Sequence, residues 1–187
     1  MAVAHSEQEL IQDCRKGKAR AQEGLYRHFY AFGMSVCLRY ASCREDALEV
    51  LNDSFMKVFQ HIESFDTARP FKSWFRRILV NTALDHYRMN QKYRLHQPVD
   101  EDVDLPGVEP EFNRKMSADE ILDLFAGIPE KYRIIFNLYE VEGYSHDEIA
   151  GLLDISPGTS RSHLSRAKKM LQRLYLEKQN NECHEAV

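Results

Sequence analysis

Residues 156–169 read SPGTSRSHLSRAKK, a Ser-Pro-Gly turn running into Arg161, Arg166, Lys168 and Lys169. Ser ahead of Pro is a helix start, because the hydroxyl caps a free N–H and Pro fills the first helical position, where its missing donor is not needed. A helix N-terminus carries partial positive charge and unpaired N–H groups, so Ser156 to Ser160 are predicted to approach a phosphate. On the side away from the leucines, Thr159, Arg161, Ser162, Ser165 and Arg166 are able to reach bases or phosphates, and Gly158, His163 and Lys169 are further DNA-binding candidates on the same helix. Exposed helix faces are usually charged, so the basic stripe alone fits solvation as well. The preceding residues favour the nucleic-acid reading. Ser145 and Glu148 form a capping box, and a short turn at Asp154-Ile155 follows, so 145–173 reads as helix, short turn, helix.

Two further constellations lie earlier in the chain. In FKSWFRRILVNTALDHYRMN, Phe71, Trp74, Phe75 and Tyr87 alternate with Lys72, Arg76, Arg77 and Arg88. Rings interleaved with cations suit unpaired DNA, where bases stack and cations track the backbone. Helical spacing of Phe71, Trp74 and Ile78 fits core packing better, which assigns Trp74 and Phe75 to the interior and leaves Arg76, Arg77, Asn81, Asp85 and Arg88 as surface candidates. The other constellation is Glu49, Asn52 and Asp53, with Lys57 on the same helix face. Paired carboxylates suggest acid–base chemistry, but no nucleophile, histidine or glycine-rich loop accompanies them, so a partner-binding or solvated face is expected and not an enzyme. The eight histidines and four cysteines are scattered without HExxH or CxxC spacing, so reduced thiols and neither metal nor cofactor are expected. A helical-bundle metal enzyme using His61 and His86 is the rival from another class.

The elements that must position these groups are helical throughout. In ARAQEGLYRHFYAFGMSVCLRYA, Ala21, Leu25, Phe29, Phe32, Val36 and Tyr40 form one apolar stripe, and Ala47, Val50, Leu51, Phe55, Val58 and Ile62 form its partner. A break at DTARP precedes the third long helix. Residues 91–115 hold Pro98, Pro106, Pro110, Gly107 and six acidic residues without apolar period, the composition of a linker. In the second bundle, Ser117 and Glu120 form another capping box, and Leu164, Ala167, Leu171 and Leu174 are the expected buried stripe of the last helix. At 187 residues the chain suits two small domains, giving an all-α fold with a helical bundle over 1–92, an acidic linker over 93–115 and a helix-turn-helix domain over 116–187.

Charge is segregated in the same way. The formal net charge is −4, yet 1–95 holds 15 Lys and Arg against 11 acids, 96–155 holds 4 against 15, and 156–187 holds 6 against 3. The balance excludes a protein that coats nucleic acid by bulk attraction and points to separate surfaces for separate partners. No apolar run approaches the roughly 18 residues that cross a bilayer, and MAVAHSEQEL lacks the basic flank and apolar stretch of a signal peptide, so the cytoplasm is the expected location.

Together, DALEVLNDSFMKVFQHIESFD, FKSWFRRILVNTALDHYR and EGYSHDEIAGLLDISPGTSRSHLSRAKKML resemble, in order and spacing, the signature stretches of the extracytoplasmic-function (ECF) sigma factors of bacterial RNA polymerase. The resemblance spans about Leu10 to Tyr175. It implies a subunit that binds core polymerase, reads two promoter elements and helps open the duplex, with an anti-sigma factor as a further partner. By this resemblance Glu49, Asn52, Asp53 and Lys57 dock on the polymerase, while Phe65, Arg69, Lys72, Arg76, Arg77, Asn81, Asp85 and Arg88 capture the melted -10 strand. The recognition helix at 156–169 would read the -35 element. The chain departs from the family pattern at Asn52-Asp53, where Gln-Glu is common, and at Ser160 and His163, where an aliphatic and a basic residue are common. The runner-up is a dimeric helix-turn-helix regulator with a ligand-binding N-terminal bundle.

Overall fold

The computed structural model describes residues 6–93 and 117–185. The described residues fall into two compact units, one within Met1–Asn90 and one within Gln91–Val187, and every regular element among them is helical. Residues 94–116, which hold almost all of the expected linker, lie outside the described residues.

In the N-terminal unit, α1 (Glu7–Arg15) starts at a Ser6–Glu9 capping box and packs on α2 (Ala19–Cys37). The predicted stripe of α2 is buried at Ala21, Leu25, Phe29 and Val36, and Tyr40 is buried just beyond its end. α3 (Arg44–His61) buries Ala47, Val50, Leu51, Phe55 and Val58 and runs into a 3-10 turn, Ile62–Ser64. Burying each such side chain contributes roughly 1.5–3 kcal/mol, and it is this burial that makes a marginal isolated helix persist. α4 (Phe71–Tyr93) inserts Phe75, fully enclosed, among Phe29, Phe55 and Phe71, with the Phe55 ring 4.7 Å away. Gly33 allows the close approach: a Cβ there would sit 2.4 Å from Leu51 Cδ1 and 3.4 Å from the Phe75 ring. Trp74 is only half-buried, unlike the expectation, because it lies at the edge of this aromatic cluster against Phe65 and Phe71.

In the C-terminal unit, α5 (Ala118–Ala126) starts at the expected Ser117–Glu120 box, and α6 (Glu130–Phe136) continues into a π-helical turn, Asn137–Val141. Buried Asn137 donates to Arg133 O at 3.0 Å, and Gly143, at φ +78, ends the run. α7 (His146–Leu153) starts at the Ser145–Glu148 box. α8 (Pro157–Glu185) buries Leu164, Ala167, Leu171 and Tyr175. The expected stripe ended instead on Leu174, which is half-buried; the helix turns slightly less per residue than the even spacing assumed, so Tyr175 faces Leu124, Phe125 and Ile128.

Replacing Phe75 with Ala opens a void where four rings converge, and it is expected to destabilise the N-terminal unit by about 3–5 kcal/mol in urea denaturation. A loss below about 1 kcal/mol would show that the aromatic cluster does not hold α4 in place.

Candidate nucleic-acid interface

The turn between α7 and α8 is built from three backbone decisions. Asp154 ends α7 in the left-handed region, φ 54 and ψ 49, a conformation that Asp tolerates better than most residues. Its N–H and that of Ile155 both donate to Ala150 O. Ser156 then caps α8, its Oγ accepting from Thr159 N at 2.9 Å, and Pro157 opens the helix. These bonds turn the chain sharply while giving partners to N–H groups at both helix ends. Beneath the turn, Ser160 Oγ lies 2.9 Å from His146 Nδ1, and the His146 ring stacks on Tyr139 at 4.5 Å.

With Ser160, Leu164, Ala167 and Leu171 facing inward, α8 leaves Gly158, Arg161, Ser162 and Ser165 exposed on one side. Ser156 and Thr159 share a hydroxyl contact at 2.9 Å, so both hydroxyls serve the cap first. Arg166 is half-buried, its Nη1 donating to the Tyr132 hydroxyl at 3.4 Å. Lys169 is half-buried, and Lys168 pairs with Glu140 at 2.6 Å. Two expectations need correction. Ser160 does not face a phosphate but is fully buried under the turn. His163 does not point outward, since its ring meets Tyr132 edge-on at 5.0 Å. Desolvation, then the nearby Lys131 and Arg166 charges, lower its pKa from the usual imidazole value. The departures at 160 and 163 thus have a physical account: both side chains hold α8 on its neighbours.

In the N-terminal unit the residues expected on two different surfaces meet. Asn52 accepts from the Tyr26 hydroxyl at 3.0 Å, and Asp53 Oδ2 lies 2.8 Å from His86 Nε2. Lys57 Nζ bonds Asp85 Oδ2 at 3.0 Å, and Arg88 holds the other carboxylate oxygen at 2.8 Å. Exposed pairs of this kind contribute at most about 1 kcal/mol each, so their effect is to fix where α3 side chains stand relative to α4. Glu49, Arg77 and Asn81 are exposed, Arg76 is half-buried, and Lys72 sits 4.5 Å above the Phe32 ring. Arg69 is exposed and pairs with Asp66 at 3.5 Å. Phe65, expected at a DNA surface, is instead buried, its ring 5.5 Å from Phe71 and 5.0 Å from Trp74. Its apolar face gains more from the aromatic cluster than from solvent.

Arg15, which donates to Ile62 O and Phe65 O, joins Tyr26, His86 and Tyr132 in holding these faces in shape, and local spacing carries no site signal for Arg15, Tyr26 or Tyr132 because each acts across helices. Among the described residues no group of three or more His, Cys, Asp or Glu is placed to hold a metal ion. Burial pushes the Cys14 thiol up to about 11 and the Cys37 thiol up to about 12, while Cys43 is exposed. Among the described residues no helix is long and apolar enough to cross a membrane.

Residues 25–93 match the family described as Sigma-70 region 2, and residues 118–171 match Sigma-70, region 4. The chain is 28% identical to the ECF RNA polymerase sigma-E factor of Haemophilus influenzae, over 92% of this chain and 96% of that protein. The chain belongs to the ECF sigma factors of the sigma-70 family. It is 26% identical to the RNA polymerase sigma-H factor of Pseudomonas aeruginosa, over 92% and 95% of the two chains. Among solved structures it is similar to CnrH in complex with the cytosolic domain of CnrY (21% identity, TM-score 0.46, covering 89% of this chain and 94% of that one). It is likewise similar to RpoE in complex with the anti-sigma factor NepR from Bartonella quintana (20% identity, TM-score 0.49, covering 82% and 95%). As a sigma factor the chain binds core RNA polymerase and directs promoter-specific initiation. The region 2 match over the N-terminal unit leaves the ligand-binding regulator without support.

The inward His163 makes stability pH-dependent with a definite sign. Its folded-state pKa lies below the unfolded value of about 6.5, so the unfolded chain binds a proton first and stability falls as pH drops through that range. His163→Gln is expected to flatten the fall in Tm between about pH 7.5 and about pH 5.5. An unchanged slope would place the responsible group elsewhere.

Proposed function

We propose that the two units divide promoter reading between them. The C-terminal unit lays the N-terminal half of α8 in the major groove of the -35 element, where Arg161, Ser162, Ser165 and Arg166 meet base edges and Ser156, Gly158, Thr159 and Lys169 lie nearest the backbone. The observation that carries this reading is the capped turn at 154–157, which exposes one polar face of α8 while its other side is buried. Arg166 approaches the groove already supported by Tyr132, and a supported fork loses less freedom on contacting a base.

The N-terminal unit contributes the other two surfaces. Glu49, Asn52, Asp53 and Lys57 of α3 dock on the polymerase core, with Leu48 and Met56 exposed beside them as apolar contacts. The loop 66–69 and the outer face of α4, through Arg69, Lys72, Arg76, Arg77, Asn81, Asp85 and Arg88, take up the melted -10 strand. Extruding a base costs a few kcal/mol, so a surface that accepts it draws the opening equilibrium forward. The Lys57–Asp85 pair joins the docking face to the strand-reading face. The chain acts in the cytoplasm as a binding subunit without catalytic chemistry of its own, and an anti-sigma factor covering either face would silence it.

A net charge of −4 suits a subunit delivered to DNA by a larger enzyme. Transcription in vitro with core polymerase and a promoter library is expected to return one preferred pair of elements, whereas the free chain binds the same promoter weakly in gel shifts. Nanomolar binding without polymerase would contradict the reading. Arg166→Ala is expected to lose about 1–3 kcal/mol and relax the preference at one upstream position; equal loss on every sequence would make it a phosphate contact.

A further inference from the structure

The loop 66–69 has little beneath it. Between it and α1 lies an open cleft of about 1000 Å³, with Ser6, Glu9 and Gln12 on the α1 side and Thr67, Ala68 and Pro70 on the loop side. Packing therefore does not set the loop's position, and its anchors must. Within the loop, Ala68 N donates to Asp66 Oδ1 at 3.0 Å and Arg69 N to Asp66 O at 3.0 Å, a local turn that gives shape but no attachment. At the far end, Pro70 O accepts from Ser73 N at 3.2 Å and opens α4. At the near end, the Phe65 ring is buried and the backbone is gripped from another helix: Arg15, in the last turn of α1, donates from Nε to Ile62 O at 3.2 Å and from Nη2 to Phe65 O.

A guanidinium presents its donors in one rigid plane, so two bonds from it to carbonyls three residues apart fix a direction as well as a place. Here they fix the direction in which the chain leaves the 3-10 turn and enters the loop. We infer that Arg15 is a positioning residue for reading of the melted -10 strand: it touches no base, and it holds the loop 66–69 across the cleft in the shape that discriminates bases. This rests on the proposal above that the loop and α4 face that strand. Without Arg15 both carbonyls can bond water at this partly exposed site, so the fold survives while the loop's lead-in direction becomes free.

The test uses the full chain in holoenzyme, on the preferred promoter and its single-base -10 variants. Arg15→Ala is expected to reduce discrimination among -10 variants by about tenfold, the scale of one charged hydrogen bond. The salt dependence of promoter binding stays unchanged. Arg15→Lys, whose single ammonium cannot span both carbonyls, is expected to fall between the two. Trp74, the sole tryptophan, packs at a tilt against Phe65 with ring centroids 5.0 Å apart, so its quenching by acrylamide in the free protein should rise in Arg15→Ala. Uniform loss on all promoters, with a salt slope reduced by about one and full recovery in Arg15→Lys, would make Arg15 a phosphate contact and overturn the inference. Thr67→Ala and Arg69→Ala separate the two levels. If they shift -10 discrimination and Arg15→Ala does not, the brace is wrong and the reading stands; if neither loop variant shifts it, the reading falls and the brace with it. Should Arg15→Ala lose its helical circular dichroism, Arg15→Lys decides, and undiminished discrimination there overturns the brace.

Discussion

The structure of this sigma factor depends on ending one helix and starting the next within three residues, with Ala150 O and the Ser156 side chain taking up N–H groups at the break. Asp154 turns left-handed, Ala150 O takes the freed N–H groups, and Ser156 caps the new helix before Pro157. If the chain ran straight through this point, α7 and α8 would merge, and the hydrophobic stripe of α8 could not fold back on α5 and α6. The left-handed residue carries a strain on the order of 1 kcal/mol, which is small beside the burial of Leu164, Ala167, Leu171 and Tyr175 that it makes possible. From that burial follows the exposed face of Gly158, Arg161, Ser162 and Ser165.

The same logic operates differently in the N-terminal unit, where aromatic packing supplies the rigidity and surface polar pairs supply the aim. Phe29, Phe55, Phe71 and Phe75 bring α2, α3 and α4 together. Tyr26–Asn52, Asp53–His86 and Lys57–Asp85 then hold polar side chains at fixed offsets on the outside of that cluster. Individually such pairs add little stability. Their value lies in ordering groups that would otherwise sample many rotamers before meeting a partner. Arg15 extends this aim to the loop, which the cluster itself does not reach.

How much of this was legible in the sequence follows from how local each interaction is. The capping boxes at Ser117 and Ser145 and the Ser156-Pro157 start depend on residues within four positions, and each stands where the spacing predicts. The apolar stripes of α2 and α3 were legible for the same reason, since one helix face is a matter of period alone. The inward packing of His163 and Ser160 is not legible in local spacing because their partners, Tyr132 and His146, sit on other elements, and helix crossing decides which face a borderline polar residue joins. Phe65 follows the same rule: the resemblance implied a DNA contact there, and the aromatic cluster that receives its ring lies on another element. The pairing of Lys57 with Asp85 and the grip of Arg15 span tens of residues, and nothing in local spacing encodes them.

On our proposal the exposed side of α8 enters the upstream promoter element when the chain is held by polymerase. A direct measurement attaches an iron chelate to Ser165→Cys in a chain in which Cys183 and the exposed Cys43 are changed to Ser, and maps the DNA cuts it makes in the holoenzyme. One compact cluster of cuts within the upstream element, lost when the N-terminal half of α8 is disrupted by Arg161→Pro, is expected. Cuts spread evenly along the promoter, or confined to the melted region, would contradict it.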